Sequence, residues 1–378
     1  MDPFQDPNNP QHAATPGIRR RTLLCSAALA AAAWPVYALP TGVHPSPLEF
    51  PADFGSHPDT RTEWWYVTGA LHAAGQLHGF QITFFRSRTG VYATHPSRFA
   101  ASQLVFAHAA VSDLRQGRLR HDQRIARAGF GIAQAAEGET ALRLHDWQLR
   151  RNSGRYRAQV ASELGGFGLD LTLAPTQPLL LQGDAGTSRK GPLPEQVSRY
   201  YSEPQLAIDG TLTLDAQALP VRGKAWLDHE WSDSLLDAQA VGWDWIGMNF
   251  DDGGALTAFR LRRADGSPLW AGGSVRAAGQ PVRNFAAEDV RFAPGRRWTS
   301  PASRAAYPVE WRVDTPAGQF GVKALLDNQE LDSRASTGAI YWEGLSELLD
   351  ASGRRVGLGY LEMTGYASAL RLQEPIRQ

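Results

Sequence analysis

From Pro40 onward the chain reads as short alternating runs of β-branched and aromatic residues separated by turns of Gly, Asp and Asn, a pattern that admits little except antiparallel β structure. Long helical periodicity is scarce. Thr62 to Leu71, a turn around Ala74-Gly75-Gln76, and Gly79 to Arg86 form one expected hairpin. Val241 to Phe250, the turn Asp251-Asp252-Gly253-Gly254, and Ala255 to Arg262 form a second, and Ile340 to Tyr366 repeats the scheme around Asp350-Ala351-Ser352-Gly353. Many short strands in two halves exclude a doubly wound α/β fold and predict an all-β chain of two antiparallel barrels or sandwiches. A length of 378 residues also exceeds what one core usually organises. The Pro-, Gly- and Ser-rich stretch 175–205 is the expected connection, giving an N-terminal domain over 45–205 and a C-terminal domain over 206–378.

The segment 1–38 has the pattern of an export signal: a polar leader, Arg19-Arg20-Arg21-Thr22-Leu23-Leu24, an Ala-rich apolar run to Trp34, and Val36-Tyr37-Ala38 as a small-residue cleavage site. The arginine pair and the long leader before it resemble a twin-arginine signal, so cleavage near Ala38 and a periplasmic or secreted mature chain are expected. No apolar run approaches the ~20 residues of a membrane-spanning helix. Cys25, the single cysteine, lies inside the signal, which leaves the mature chain no thiol for a disulfide, a thiolate metal site or a nucleophile. Lys+Arg and Asp+Glu balance at 38 each without a basic stripe, so nucleic acid is not an expected partner.

Six of the 12 tryptophans lie in or beside acid-bearing segments: Thr62-Glu63-Trp64-Trp65-Tyr66, then Trp226-Leu227-Asp228-His229-Glu230-Trp231 with Trp243-Asp244-Trp245. An indole ring needs burial while its N–H needs an acceptor, which a carboxylate supplies. Alternation puts Leu227, His229 and Trp231 on one strand face and Trp226, Asp228 and Glu230 on the other; it puts Asp244 with Ile246, Met248 and Phe250. A carboxyl in apolar surroundings stays protonated near neutral pH. Asp244 or Asp228 is therefore a candidate acid, His229 a candidate base or water-orienting group, and Trp231, Trp243 and Trp245 a wall able to stabilise a carbocation. Trp64, Trp65, Tyr66, Trp226 and Glu63 complete the candidate ligand-binding set. The competing reading is structural, with carboxylates accepting indole N–H bonds and pairing with Arg86 or Arg260 to close barrel ends. Both long hairpins share an acid–Trp strand, a following glycine (Gly69, Gly247), a Gly-containing turn and a strand closing on Arg86 or Arg260, which suggests an internal duplication.

Other chemistries find little support. No Gly-x-Ser-x-Gly elbow, second zincin histidine, Walker loop or dinucleotide fingerprint occurs, and no histidine spacing points to a metal. Neither a metal nor an organic cofactor is expected. His108, inside the apolar run Leu104 to Val111, reads as a buried core histidine with its hydrogen bonds satisfied.

Thr62-Glu63-Trp64-Trp65-Tyr66-Val67-Thr68-Gly69, Phe80-Gln81-Ile82-Thr83-Phe84-Phe85-Arg86, Ala107-His108-Ala109 and the two later Trp segments together resemble one family over about Pro45 to Tyr366. It is the AttH-like family of secreted lipocalin-like proteins, related to carotenoid 1,2-hydratase (hydroxyneurosporene synthase). The resemblance implies two lipocalin-like (calycin) β-barrels packed together and the handling of a lipid or isoprenoid in an aromatic-lined cavity. It also implies an ABC transporter of the lipoprotein-release kind as a partner; some members carry the label of predicted secreted hydrolase. The hydratase branch implies a carbon–oxygen lyase that adds water to an acyclic carotene without an organic cofactor, with a His-x-Trp pair and a nearby aromatic-x-Asp as its working residues. His229 and Trp231 match the first. Asp244 departs in spacing from the second, and this, with the export signal, favours the AttH-like branch.

Overall fold

Alternation and turn chemistry set the two long hairpins of this computed structural model, which describes residues 47–91, 95–97, 99–233 and 236–370; the expected export signal and its Cys25 lie outside them. Thr62–Ala73 and Gln76–Arg88 pair from Ala73↔Gln76 to Thr62↔Ser87. Their two-residue turn places Ala74 at φ 48° and Gly75 at φ 77°, the left-handed pair that matches the twist of a tight hairpin. Gly242–Phe250 and Ala255–Arg262 pair from Gly242↔Arg262 to Asn249↔Ala255, around a turn in which Asp252 Oδ1 accepts the Gly254 N–H at 2.8 Å. The third expected hairpin is Ala339–Leu349 with Arg355–Met363.

Among the described residues the strands gather into a 13-stranded and a 10-stranded antiparallel sheet and a small two-stranded one, with two short 3-10 turns, Ala52–Phe54 and Ala287–Asp289. The first sheet runs outward from Thr62–Ala73, which is flanked by Gln76–Arg88 on one side and Gln217–Ser232 on the other. The second runs outward from Gly242–Phe250 in the same way, flanked by Ala255–Arg262 and Arg355–Met363. In each sheet the first strand thus pairs with both the second and the last, the connection that closes a meander into a barrel. The shared topology supports the duplication suggested by the sequence. Each sheet curls on itself into a near-closed barrel, and in the first the edge strand Arg118–Arg127 returns to Ala141–Leu144.

The boundary between the halves differs from the expected one. Val197–Leu214 and Gln217–Ser232 both belong to the first sheet, so residues 206–232 continue the N-terminal barrel and the chain crosses to the second sheet between Ser232 and Gly242. The stretch 175–205 is also more than a linker. It contains the short strands Leu180–Leu181 and Thr187–Arg189 and the start of Val197–Leu214. The last of its five prolines misleads because Pro204 sits at a register shift between Glu203 and Leu206, with Gln205 at φ 58°, a bulge where no ladder N–H is required.

Both barrel interiors are filled by side chains. Trp65, Phe80, Phe84, Trp147, Tyr201 and Trp231 pack the first, and Met248, Tyr307, Trp311, Trp342 and Met363 the second. A third cluster, with Tyr66, Trp226, Trp245, Phe259, Leu345 and Tyr360, joins the outer faces of the two sheets. His108 is buried as expected, with Nδ1 2.8 Å from Tyr341 Oη and Nε2 2.8 Å from Ser336 Oγ. Both partners belong to the other half, so this histidine pins the barrels together.

Candidate active site

Each acid–tryptophan strand carries two rows of side chains, and the rows face different places. On Thr62–Ala73, Glu63, Trp65, Val67 and Leu71 point into the first barrel, whereas Trp64, Tyr66 and Ala70 point at the second sheet. On Gln217–Ser232 the inward row holds Leu227, His229 and Trp231 and the outward row Trp226, Asp228 and Glu230, as alternation predicts. On Gly242–Phe250, Asp244, Ile246 and Met248 point into the second barrel while Trp243 and Trp245 face the first sheet.

The inward acids close the barrel ends. Glu63 is fully buried and directly across the ladder from Arg86. Its Oε2 accepts from Arg86 Nε at 2.8 Å and Ser56 Oγ at 3.0 Å; its Oε1 accepts from His57 Nδ1 at 2.7 Å and His229 Nε2 at 2.9 Å. Burial pushes this carboxyl up, but the bonds from His229 and His57 and the Arg86 charge outweigh it and hold it well below the usual range. The His57 ring stacks on Trp231 at 3.8 Å and its Nε2 meets Asp53 Oδ1 at 3.1 Å. His229, held by Tyr201 Oη at 3.1 Å, stacks on Trp65 at 4.4 Å, and burial pulls its pKa down against the opposing effect of Glu63. Asp244 is the counterpart in the second barrel. It lies across the ladder from Arg260, 2.7 Å from that residue's Nε, 3.0 Å from Arg262 Nε and 2.8 Å from Tyr366 Oη.

The acid and base that the sequence joined therefore come apart. Asp244 and His229 lie in the interiors of different barrels, so they do not share a cavity as acid and base. Asp244 is not an isolated carboxyl in apolar space, because two guanidinium groups hold it. His57, Glu63 and His229 bring three ligand-type atoms within 4.8 Å of one another. Both Glu63 oxygens are nevertheless already saturated, with a buried guanidinium against them. The second barrel builds the same acid–arginine closure with Tyr366 and Arg262 in place of histidines. The cluster is a satisfied ionic latch rather than a metal centre.

The outward rows meet between the barrels and pack into a layer rich in carboxyls and aromatic rings. Asp228, 3% exposed, accepts from Trp226 Nε1 at 2.6 Å, Ser202 Oγ at 2.5 Å and Tyr200 Oη at 2.8 Å. The Trp226 bond is the carboxylate–indole contact expected from composition. Burial nevertheless outweighs these three donors and, with the charge of Glu230, pushes Asp228 up to about 7. Tyr66 is its ladder neighbour, Trp64 that of Glu230, and Lys190 pairs with Glu230 at 2.9 Å.

From the second sheet, Glu343 and Glu362 stand opposite one another on adjacent strands, with Trp245 on the other side of Glu362. Burial and its neighbour Glu362 raise Glu343 well above the carboxylate range. Glu362 rises to about 7, through burial first, against the Trp243 indole N–H and with the charges of Asp228 and Glu230. By surface area Glu362 is half-buried. Glu343 Oε1 and the Tyr66 hydroxyl are buried, face one another, and form no well-aligned hydrogen bond with protein.

Glu343, Glu362, Tyr200 and Lys190 did not figure in the sequence-based set. Tyr341-Trp342-Glu343 repeats the acid–aromatic strand pattern and was the available signal. Of the sequence-selected residues, the layer between the barrels unites Asp228, Trp64, Tyr66, Trp226, Trp243 and Trp245; Glu63, Trp65, His229 and Trp231 belong to the first barrel's latch. A cleft of about 350 Å³ opens beside this layer, and Trp226 and Tyr360 form its inner wall with Leu77 and Leu358.

Comparison with known proteins agrees with this architecture. The family model described as AttH-like matches residues 41–366. A crystal structure from Nitrosomonas europaea, provisionally assigned as AttH, is 47% identical, covers 87% of this chain and 100% of its own, and superposes with a TM-score of 0.81. Kievitone hydratase from Nectria haematococca is 15% identical over 87% of this chain and 96% of its own, with a TM-score of 0.65, and shares the lipocalin-like fold. No curated protein matches the chain in sequence. By family match and by identity, the chain belongs to the AttH-like family.

Proposed function

We propose that this protein performs acid–base chemistry on an alkene of an apolar, isoprenoid-like molecule, adding water to it or removing water from the product alcohol. The observation that carries the reading is that Asp228 and Glu362, two carboxyls from different barrels, are each raised to about 7 among tryptophan faces, with the charge of Asp228 contributing to the rise of Glu362. Groups with such values exchange protons readily at neutral pH, and the like charges gathered here disfavour ionising every carboxyl at once. In the forward direction the alkene π pair takes the Asp228 proton, forming a C–H bond and a tertiary cation that the rings of Trp226, Trp243 and Trp245 face. A water oxygen then forms the C–O bond and loses its extra proton to the Glu362 carboxylate. Protons return through solvent, and the net change is one water added. A fold shared with a protein named a hydratase agrees with this class of reaction.

Wild-type protein incubated with acyclic polyenes should yield products heavier by one water, and Asp228→Asn should lower the rate by roughly 10²–10⁴-fold, the usual worth of a general acid. Equal rates in the two proteins, or no turnover by wild type across a panel of acyclic isoprenoids, would overturn the proposal.

A second reading, carriage of an intact lipid for a transporter outside the cytoplasm, is favoured by the apolar cleft. It predicts a lipid co-purifying with protein recovered from its own host and no change in that lipid on prolonged incubation.

A further inference from the structure

The row of side chains on Gln217–Ser232 that supplies Trp226 and Asp228 to the layer between the barrels includes, two residues before Trp226, Lys224. Lys224 is exposed and forms no ion pair with another described residue. It stands at the mouth of the 350 Å³ cleft together with Arg355 and His72. Asp251 is the one acid among the lining residues, 3.6 Å from Arg355 in a pair that is half-exposed on both sides. The mouth therefore carries an excess of cations, whereas the inner wall is Leu77, Leu358, Tyr360 and Trp226. A cationic rim over an apolar floor is complementary to a molecule with the opposite arrangement of parts.

We propose that the cleft takes an amphiphile with a single anionic headgroup, a phosphate or carboxylate, held by Lys224 and Arg355 while its apolar chain runs past Trp226 toward Asp228. The strand supplies the length scale: four residues separate Lys224 from Asp228, about 13 Å of extended backbone. At ~30 Å³ per atom of liquid-packed matter the cleft itself admits on the order of ten atoms, so the rest of such a chain reaches beyond it between the barrels. The reacting double bond would then lie roughly ten bonds from the headgroup. This inference rests on the inter-barrel space being a ligand site, but not on turnover there.

The test is equilibrium binding to the full chain of three fifteen-carbon probes that differ only in the head: farnesyl monophosphate, farnesoate and farnesol. The two anions should bind at least roughly fivefold more tightly than the alcohol, and the stronger of them identifies the head. Lys224→Ala and Arg355→Ala should each weaken the anions by about that factor, more at low salt, and leave farnesol unchanged. Equal binding of all three probes, no binding of any, or anion affinities indifferent to both substitutions would overturn the inference. Hydration of farnesol without an anion preference would overturn it and leave the proposed reaction standing. Selective anion binding without turnover in any arm would uphold it and count against the reaction.

Discussion

Asp228 receives three hydrogen bonds, an arrangement that by itself would favour its anion, and is still raised to about 7 because it is sealed between the barrels beside Glu230. The consequence for stability has a definite sign. Unfolded, an aspartate releases its proton near 4; folded, Asp228 keeps its proton to about 7. Between those values the native state binds more protons, so stability falls as pH rises from about 4 to 7 and levels off above. Glu362 adds to the same trend. The melting temperature should therefore decline over that window, and Asp228→Asn should flatten part of the decline; a slope unchanged by the substitution would count against a raised Asp228. Asparagine keeps the local bonds, since its carbonyl accepts from Trp226 and Ser202 while its amide donates to Tyr200. Alternation on residues 225–231 and 241–250 was legible in the sequence and placed each acid on its correct face. It could not say which barrel a face belongs to, and for that reason Asp244 and His229 were joined as partners.

At the scale of elements, each barrel's opening hairpin carries an acid directly across from an arginine, Glu63 from Arg86 and Asp244 from Arg260. Removing one member leaves a buried charge unpaired. Arg86→Ala should cost roughly 3–5 kcal/mol in chemical denaturation, and Glu63→Gln with Arg86→Met together should cost less than the single change. A single-variant loss below about 1 kcal/mol would contradict the latch. Gly247 makes a further demand. A Cβ there would stand 2.2 Å from Trp245 Cη2 and 3.2 Å from the Trp226 ring, so Gly247→Ala should shift both rings and change tryptophan fluorescence. The strand pattern exposed these hairpins and their arginines in the sequence. His57 was not legible, because it reaches Glu63 from a loop with no periodicity, and Glu343 and Glu362 were not, because the first-sheet groups they meet, Tyr66, Asp228 and Glu230, lie more than a hundred residues away.

For the whole molecule, composition and turn signals gave an all-β chain in two halves correctly, but placed the division where prolines and glycines are dense. Pairing energy places it later: Gln217–Ser232 ladders along the full length of Thr62–Ala73. A fragment covering 41–205 should lack cooperative unfolding by circular dichroism, whereas 41–240 should unfold cooperatively; the reverse would contradict the sheet order. The two barrels are also bolted together by polar bonds, including Gln205 N–H to Asn249 Oδ1 at 2.8 Å, Ser112 Oγ to Gln329 Oε1 at 2.7 Å, and the His108 contacts. The outward rows pack together only where the halves meet, so the proposed chemistry falls to the outward rows and mechanical closure to the inward ones. That division is tested most directly by comparing Asp228→Asn with His229→Gln, neighbours on one strand facing opposite ways, for hydration rate per folded molecule and for melting temperature. The expected result is a near-native melting temperature with lost turnover for Asp228→Asn, and a lowered melting temperature with turnover retained per folded molecule for His229→Gln. Lost turnover in a fully stable His229→Gln protein, with Asp228→Asn active, would place the chemistry inside the first barrel and contradict the account.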